Sequence, residues 1–264
     1  MLTEGPASVV ATNGGHTSYQ LDGAGPPVVL VHGLQVGQEL FDRLRRHLLS
    51  SFTVITYDQR DRGKSAFAGD PYTIDDLADD LAELITALGY QRAHVLGTSY
   101  GGMVAQVFAL RHPDRLDRLV LGATGQSPPD PDRLPENARA LLVALETGDT
   151  TRAETLLRQM APAVGRHDRR LDVVEAGAAQ GRALSRRFAA TQGFDTRGRL
   201  GSVTARTLVV HGREDPAVRW EDVLAMTAEI PRASMLLIEG AGHAWENERA
   251  EFAAAMLAGF LADP

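Results

Sequence analysis

Along most of the chain, short apolar runs alternate with stretches whose apolar residues recur at helical spacing. Residues 26–31, 53–57, 93–96, 116–121, 206–211 and 234–238 are rich in Val, Leu and Ile, the pattern of strands buried on both faces. Residues 8–12 and 16–21 flank Asn13-Gly14-Gly15, a hairpin signal that predicts two antiparallel strands at a sheet edge. An amphipathic helix is expected at 40–49, and Ile74, Leu77, Leu81, Leu84, Ile85 and Leu88 share one face of another over 74–88. Met103, Val104, Val107, Phe108 and Leu110 predict a further amphipathic helix ending near Arg111, with later helices near 218–229 and 247–262. Strands and helices alternating after an antiparallel start predict an α/β fold, a mostly parallel sheet covered on both faces.

The texture changes after Gly122. Ser127-Pro128-Pro129-Asp130-Pro131 breaks the alternation, and 132–192 is arginine-rich without strand periodicity. Residues 126–200 therefore read as a helical insertion in a core made of 1–125 and 201–264. Against 34 Asp and Glu stand 27 Lys and Arg, a net charge of −7 with no basic stripe, so nucleic acid is not an expected partner. Cysteine is absent, which excludes disulfides, thiolate catalysis and cysteine-ligated metal. The start, Met1-Leu2-Thr3-Glu4-Gly5-Pro6, is neither basic nor apolar, and no run approaches the roughly 18 apolar residues of a membrane span. A soluble, cytoplasmic protein is expected. No H-E-x-x-H cluster, P-loop or dinucleotide fingerprint occurs, so neither metal nor cofactor is expected.

The run at 93–96 meets its helix through Gly97-Thr98-Ser99-Tyr100-Gly101, a G-x-S-x-G turn. Such an elbow forces the serine into a strained backbone conformation and projects its hydroxyl above the sheet, with small residues two before and two after to avoid a clash. Ser99 is thus the candidate nucleophile. A serine hydroxyl needs a base within hydrogen-bond reach, and that base needs a third group to hold it. Val209-Val210-His211-Gly212-Arg213-Glu214-Asp215 puts a carboxylate beyond one later strand, and Leu237-Ile238-Glu239-Gly240-Ala241-Gly242-His243 puts an imidazole beyond the next. Ser99, Asp215 and His243 fall in the order nucleophile, acid, histidine that this architecture imposes. Glu214 is a rival acid, one residue out of register. Ala123-Thr124-Gly125-Gln126, after the sixth strand, offers no carboxylate.

In these residues and their order, the chain resembles the α/β-hydrolase family over nearly its whole length. His32-Gly33 is similar to the family's oxyanion-loop motif, and Asp58-Gln59-Arg60-Asp61-Arg62-Gly63-Lys64-Ser65 to its D-x-R-G-x-G-x-S loop, with Asp61 in place of the usual glycine. Arg111-His112-Pro113-Asp114-Arg115 matches the turn after the elbow helix, and Gly242-His243 matches the G-H pair. The resemblance implies a mostly parallel eight-stranded sheet, a helical cap formed by 126–200, Asp215 as the acid, and an oxyanion hole made by the backbone N–H groups of Leu34 and Tyr100. One such donor is worth on the order of 3 kcal/mol. His32, Gln35 and Trp245 are expected beside the substrate pocket, His32 steadying its loop rather than moving protons. The aromatic and acidic residues of Ala244-Trp245-Glu246-Asn247-Glu248 come sooner after His243 than in many relatives. His94, His112, His167 and His211 read as structural or solvated. Arg182, Arg186 and Arg187 read as a solvated face of the cap, the alternative being that one of them meets a carboxylate-bearing substrate.

The resemblance implies a serine hydrolase that cleaves a small carboxylic ester or lactone, similar to the enol-lactonase and small-esterase branches. Serine at 99 argues against the epoxide hydrolases and haloalkane dehalogenases of this fold, which use an aspartate there. Other chemistry with the same triad stays open: C–C bond hydrolysis, acyl transfer, cofactor-free oxygenation, or ligand binding by a slow-turnover receptor.

Overall fold

A computed structural model describes residues 8–12, 14–128, 132, 134, 136–149, 151–153, 155, 156 and 178–262. His167 and the middle of the arginine-rich insertion lie outside the described residues.

The six apolar runs and the two hairpin segments form strands of one sheet: β1 (Ser8–Thr12), β2 (Gly15–Gly23), β3 (Pro27–Val31), β4 (Thr53–Tyr57), β5 (Ala93–Thr98), β6 (Leu116–Gly122), β7 (Arg206–Gly212) and β8 (Ala233–Ile238), in the order β1-β2-β4-β3-β5-β6-β7-β8. The hairpin read from the glycine pair is present, with Thr12 opposite Gly15. β2 also runs antiparallel to β4, and every later pairing is parallel. Helices among the described residues include α1 (Asp42–Leu48), α2 (Ile74–Ala87), α3 (Tyr100–Arg111), α4 (Glu136–Glu146), α5 (Ala178–Ala189), α6 (Trp220–Glu229), α7 (Trp245–Glu248) and α8 (Ala250–Ala262).

The continuous apolar runs are explained by two cores, one on each face of the sheet. In β3, Val29 and Val31 join the core built with α2 and α3, while Val28 and Leu30 join the one built with α1 and α8. Successive side chains of a strand point to opposite faces, so burial on both sides removes polar alternation. α2 starts at a capping box: the Thr73 side chain accepts from the Asp76 N–H, and the Asp76 carboxylate accepts from the Thr73 N–H at 2.8 Å. α3 departs from the amphipathic expectation. Tyr100 to Ala109 are all buried, because the helix is enclosed by the sheet and α2, and an enclosed helix is apolar all round.

Within the insertion, Leu141, Ala144, Leu145, Ala153 and Phe188 form a separate small cluster, against which Leu34 of the core packs. Ala190, Phe194, Leu200 and Val203 instead join the α2–α3 core.

The topology brings five strand ends together at one end of the sheet. Val31 pairs with Gly97, Thr98 with Gly122, Gly122 with Val210, and Gly212 with Ile238, so the C-terminal ends of β3, β5, β6, β7 and β8 lie level. β3 has β4 on one side and β5 on the other, a switch in winding direction whose crevice is the usual ligand position in such sheets. The elbow after β5 is packed to contact: a Cβ on Gly101 would overlap the Val31 carbonyl oxygen, and one on Gly97 would overlap the Gly101 carbonyl oxygen. Gly101→Ala is expected to lower stability by about 2 to 3 kcal/mol in a denaturant titration. A loss under about 0.5 kcal/mol, the scale of an ordinary surface change, contradicts this packing.

Candidate active site

Ser99 has φ 54° and ψ −120°, a conformation that costs a non-glycine residue on the order of 1 to 3 kcal/mol. Its main chain is held from three directions. The Ser99 N–H donates to the Gly122 carbonyl at 2.8 Å, and its carbonyl accepts from the Gly102 N–H at 2.9 Å and the Thr124 hydroxyl at 2.9 Å. These bonds fix the strained turn and leave the hydroxyl free to face the other strand ends.

His243, in the loop after β8, meets that hydroxyl: Nε2 lies 2.9 Å from Ser99 Oγ. Nδ1 lies 2.7 Å from Asp215 Oδ2. A carboxylate can only accept, so Nδ1 carries the proton and the Nε2 lone pair receives the serine O–H. Asp215 is positioned in turn by its own loop, its Oδ1 accepting from the Ala217 N–H at 2.7 Å and the Val218 N–H at 3.1 Å. His211 Nε2 donates to the Val218 carbonyl at 3.0 Å and supports the same loop. Glu214, the rival acid, is exposed.

The surroundings tune these groups. Burial alone would raise the Asp215 pKa, but the His243 charge and hydrogen bond hold it below its ordinary 3.8. Burial would likewise lower His243, yet the Asp215 charge and hydrogen bond, with Glu246 and Glu248 beyond, raise it above 6.5. Burial pushes Glu246 up to about 7, against the pull of His243. Glu248 anchors the histidine loop by accepting the Gly242 N–H at 2.7 Å. Glu246 and Glu248 lie in the early acidic run after His243, which was the sequence signal for them.

Other expected site residues are placed as follows. Leu34 is partly exposed and Gln35 exposed in the loop after β3, while Tyr100 is buried at the head of α3. His32 presents no surface to solvent. It is fully buried, its Nε2 accepting from the Gln59 N–H at 3.1 Å and its Nδ1 donating to the Gly33 carbonyl at 2.8 Å. Burial, then the nearby Arg187 charge, pushes its pKa well below 6.5 and keeps the ring neutral. Trp245 is also corrected: it is fully buried in the α1–α8 core, its indole against Gly122, because the short segment after His243 folds straight back into that core.

The solvated reading of the insertion arginines is overturned for two of the three. Arg186 forms a bidentate pair with Asp61 at 2.9 and 2.7 Å, and Arg187 is buried, donating from Nη2 to the Gly33 carbonyl at 2.9 Å. Arg182 is exposed. Asp61, standing where the family pattern has glycine, keeps the left-handed backbone at φ 60° and accepts from the Ala68 N–H at 2.9 Å. Among the described residues, no group of three or more His, Cys, Asp or Glu side chains is placed to hold a metal ion, and no helix is long and apolar enough to cross a membrane.

Residues 26–245 match the model of a family described as alpha/beta hydrolase fold. The chain belongs to the α/β-hydrolase family. A relative from Caulobacter segnis, named "Putative carbamate hydrolase RutD", is 31% identical over 237 residues, covering 85% of this chain and 88% of the relative. Among solved α/β-hydrolase structures, an enol-lactonase from Burkholderia xenovorans LB400 is similar, with a TM-score of 0.80 and 25% identity over 97% of this chain and 100% of that one. A hydrolase from Pseudomonas aeruginosa PA01 gives a TM-score of 0.80 and 29% identity, covering 98% of this chain and 99% of its own.

In this α/β-hydrolase the charge of Asp215 raises the pKa of His243 against the effect of burial. Histidine NMR titration is expected to give a His243 pKa above 6.5 in the wild type and a markedly lower one in Asp215→Asn, where burial acts unopposed by that charge. Equal values in the two proteins contradict the assignment of Asp215 as its partner.

Proposed function

We propose that the protein is a serine hydrolase that cleaves a small carboxylic ester or lactone through an acyl-enzyme, with Ser99, His243 and Asp215 as its triad. The reading is carried by the unbroken relay from Ser99 Oγ to His243 Nε2 at 2.9 Å and from His243 Nδ1 to Asp215 at 2.7 Å. His243 accepts the Ser99 proton as Oγ attacks the carbonyl carbon. The backbone N–H groups of Leu34 and Tyr100 stabilise the oxygen that becomes negative. His243 then returns the proton to the leaving alcohol or ring oxygen, and water, activated by the same imidazole, releases the acid. Asp215 stays ionised throughout and stabilises the imidazolium. The insertion at 126–200 serves as the cap over this site, and substrate selection falls to it and to Leu34, Gln35 and Tyr100.

A second reading, hydrolysis of a carbamate, is favoured by the name of the Caulobacter relative. The same attack on a carbamate carbonyl gives a carbamoyl-enzyme, which water releases more slowly because nitrogen donates into the carbonyl. A panel of p-nitrophenyl esters, simple lactones and an aryl carbamate separates the two readings. Sustained turnover of esters with only a stoichiometric burst from the carbamate supports the first, and sustained carbamate turnover supports the second.

On the preferred ester, Ser99→Ala is expected to lower kcat by on the order of 10⁵- to 10⁶-fold. Because only neutral His243 can act as base, kcat/KM should rise with pH through an ionisation above 6.5, the direction in which Asp215 shifts this histidine. Turnover retained in Ser99→Ala contradicts the proposal.

A further inference from the structure

We propose that Arg187 is a positioning residue for acyl transfer: from α5 it fixes the Gly33–Leu34 peptide so that the Leu34 N–H faces the oxygen that becomes negative when Ser99 attacks. This rests on the serine-hydrolase reading above and deepens it.

Two donors converge on one carbonyl. The Gly33 oxygen accepts from His32 Nδ1 at 2.8 Å and from Arg187 Nη2 at 2.9 Å. The first assignment is forced, because the Gln59 N–H donates to His32 Nε2 and leaves the proton on Nδ1. In a planar trans peptide the N–H points opposite to the C=O. Pinning the Gly33 oxygen against His32 and Arg187 therefore turns the Leu34 N–H to the other side, and a Cβ on Gly33 would lie 3.7 Å from the Ser99 Cβ. A carbonyl that accepts two bonds, one of them charged, also polarises its peptide and strengthens the attached N–H as a donor, by roughly 10–30% per bond.

Arg187 is an unusual residue to spend on a single carbonyl. It is 2% exposed, none of the described carboxylates forms an ion pair with it, and its guanidinium lies 5.4 Å from the centre of the Tyr100 ring. Burying a charge with no direct ion pair among the described residues, and only the more distant Asp61 charge acting in its favour, is costly, so the site tolerates a penalty to place a strong donor there. Its neighbour secures the helix that delivers it: Arg186 grips the fully buried Asp61 side chain through two hydrogen bonds. Consecutive arginines thus tie α5 to two core loops, and the Leu34 side chain packs against the insertion cluster as well. On this account the oxyanion hole is complete only when the insertion is docked.

The test compares wild type, Arg187→Met and Arg187→Lys by kcat, KM and inhibition by phenylboronic acid, which forms a tetrahedral adduct with an active serine. Arg187→Met is expected to lose on the order of 10- to 100-fold in kcat, the scale of a misplaced oxyanion donor, with boronate affinity falling in parallel and KM changing less than threefold. Arg187→Lys, which keeps the charge and one donor, should recover part of both losses. If Arg187→Met does not fold, Arg187→Lys alone decides, through an intermediate loss in kcat and boronate affinity. Variants that alter only KM or the melting temperature, with kcat and boronate affinity retained, overturn the inference. A wild type with no Ser99-dependent turnover overturns the underlying reading instead, so the two failures are distinguishable.

Discussion

The structure depends on a backbone constraint at Ser99. The residue is held at φ 54°, ψ −120° because β5 ends against β3 and β6 at a level where Gly97 and Gly101 admit no side chain. Thr124 and Gly122, at the end of β6, close hydrogen bonds onto the Ser99 main chain. The strain of a kcal/mol or more is offset by close packing on every side, and its effect is to lift one hydroxyl out of the core toward the ends of β7 and β8. Without that turn, His243 and Asp215 would pair with each other but have no Ser99 hydroxyl within hydrogen-bond reach.

A second constraint is electrostatic. The site gathers several ionisable groups away from water, and each is assigned a charge state by its neighbours. Asp215 stays ionised against burial because the His243 imidazole and two backbone N–H groups face it, while burial, then the Arg187 charge, keeps His32 neutral. Two buried histidines thereby shift in opposite directions, His243 above 6.5 and His32 well below it. The identity of the nearest charge, more than depth of burial, separates their roles.

Much of the fold was legible because its signals are local. Each apolar run became a strand, since short unbroken stretches rich in Val, Leu and Ile, without polar alternation, suit burial on both faces of a parallel sheet. Ser99, Asp215 and His243 were legible because chain order and strand ends restrict where a relay can form. The helix after the elbow was misread as amphipathic, because its second buried face depends on α2 packing over it, a contact distant in sequence. Trp245 and His32 were placed at a pocket on analogy, whereas the short return after His243 draws Trp245 into the core and Gln59 draws His32 behind its loop. The solvated reading of Arg186 and Arg187 failed for the same reason: their partners, Asp61 and the Gly33 carbonyl, lie more than a hundred positions away. Asp61 in a position that usually takes glycine was the one local hint that something there was paired.

The central claim is that Ser99 carries the acyl group, and the most direct measurement is intact-mass and peptide analysis after treatment with a fluorophosphonate. One phosphonyl adduct per chain is expected, mapped to the peptide containing Ser99 and absent when His243 is replaced by alanine. An adduct on any other residue, or none in an enzyme that still turns over its ester, contradicts it.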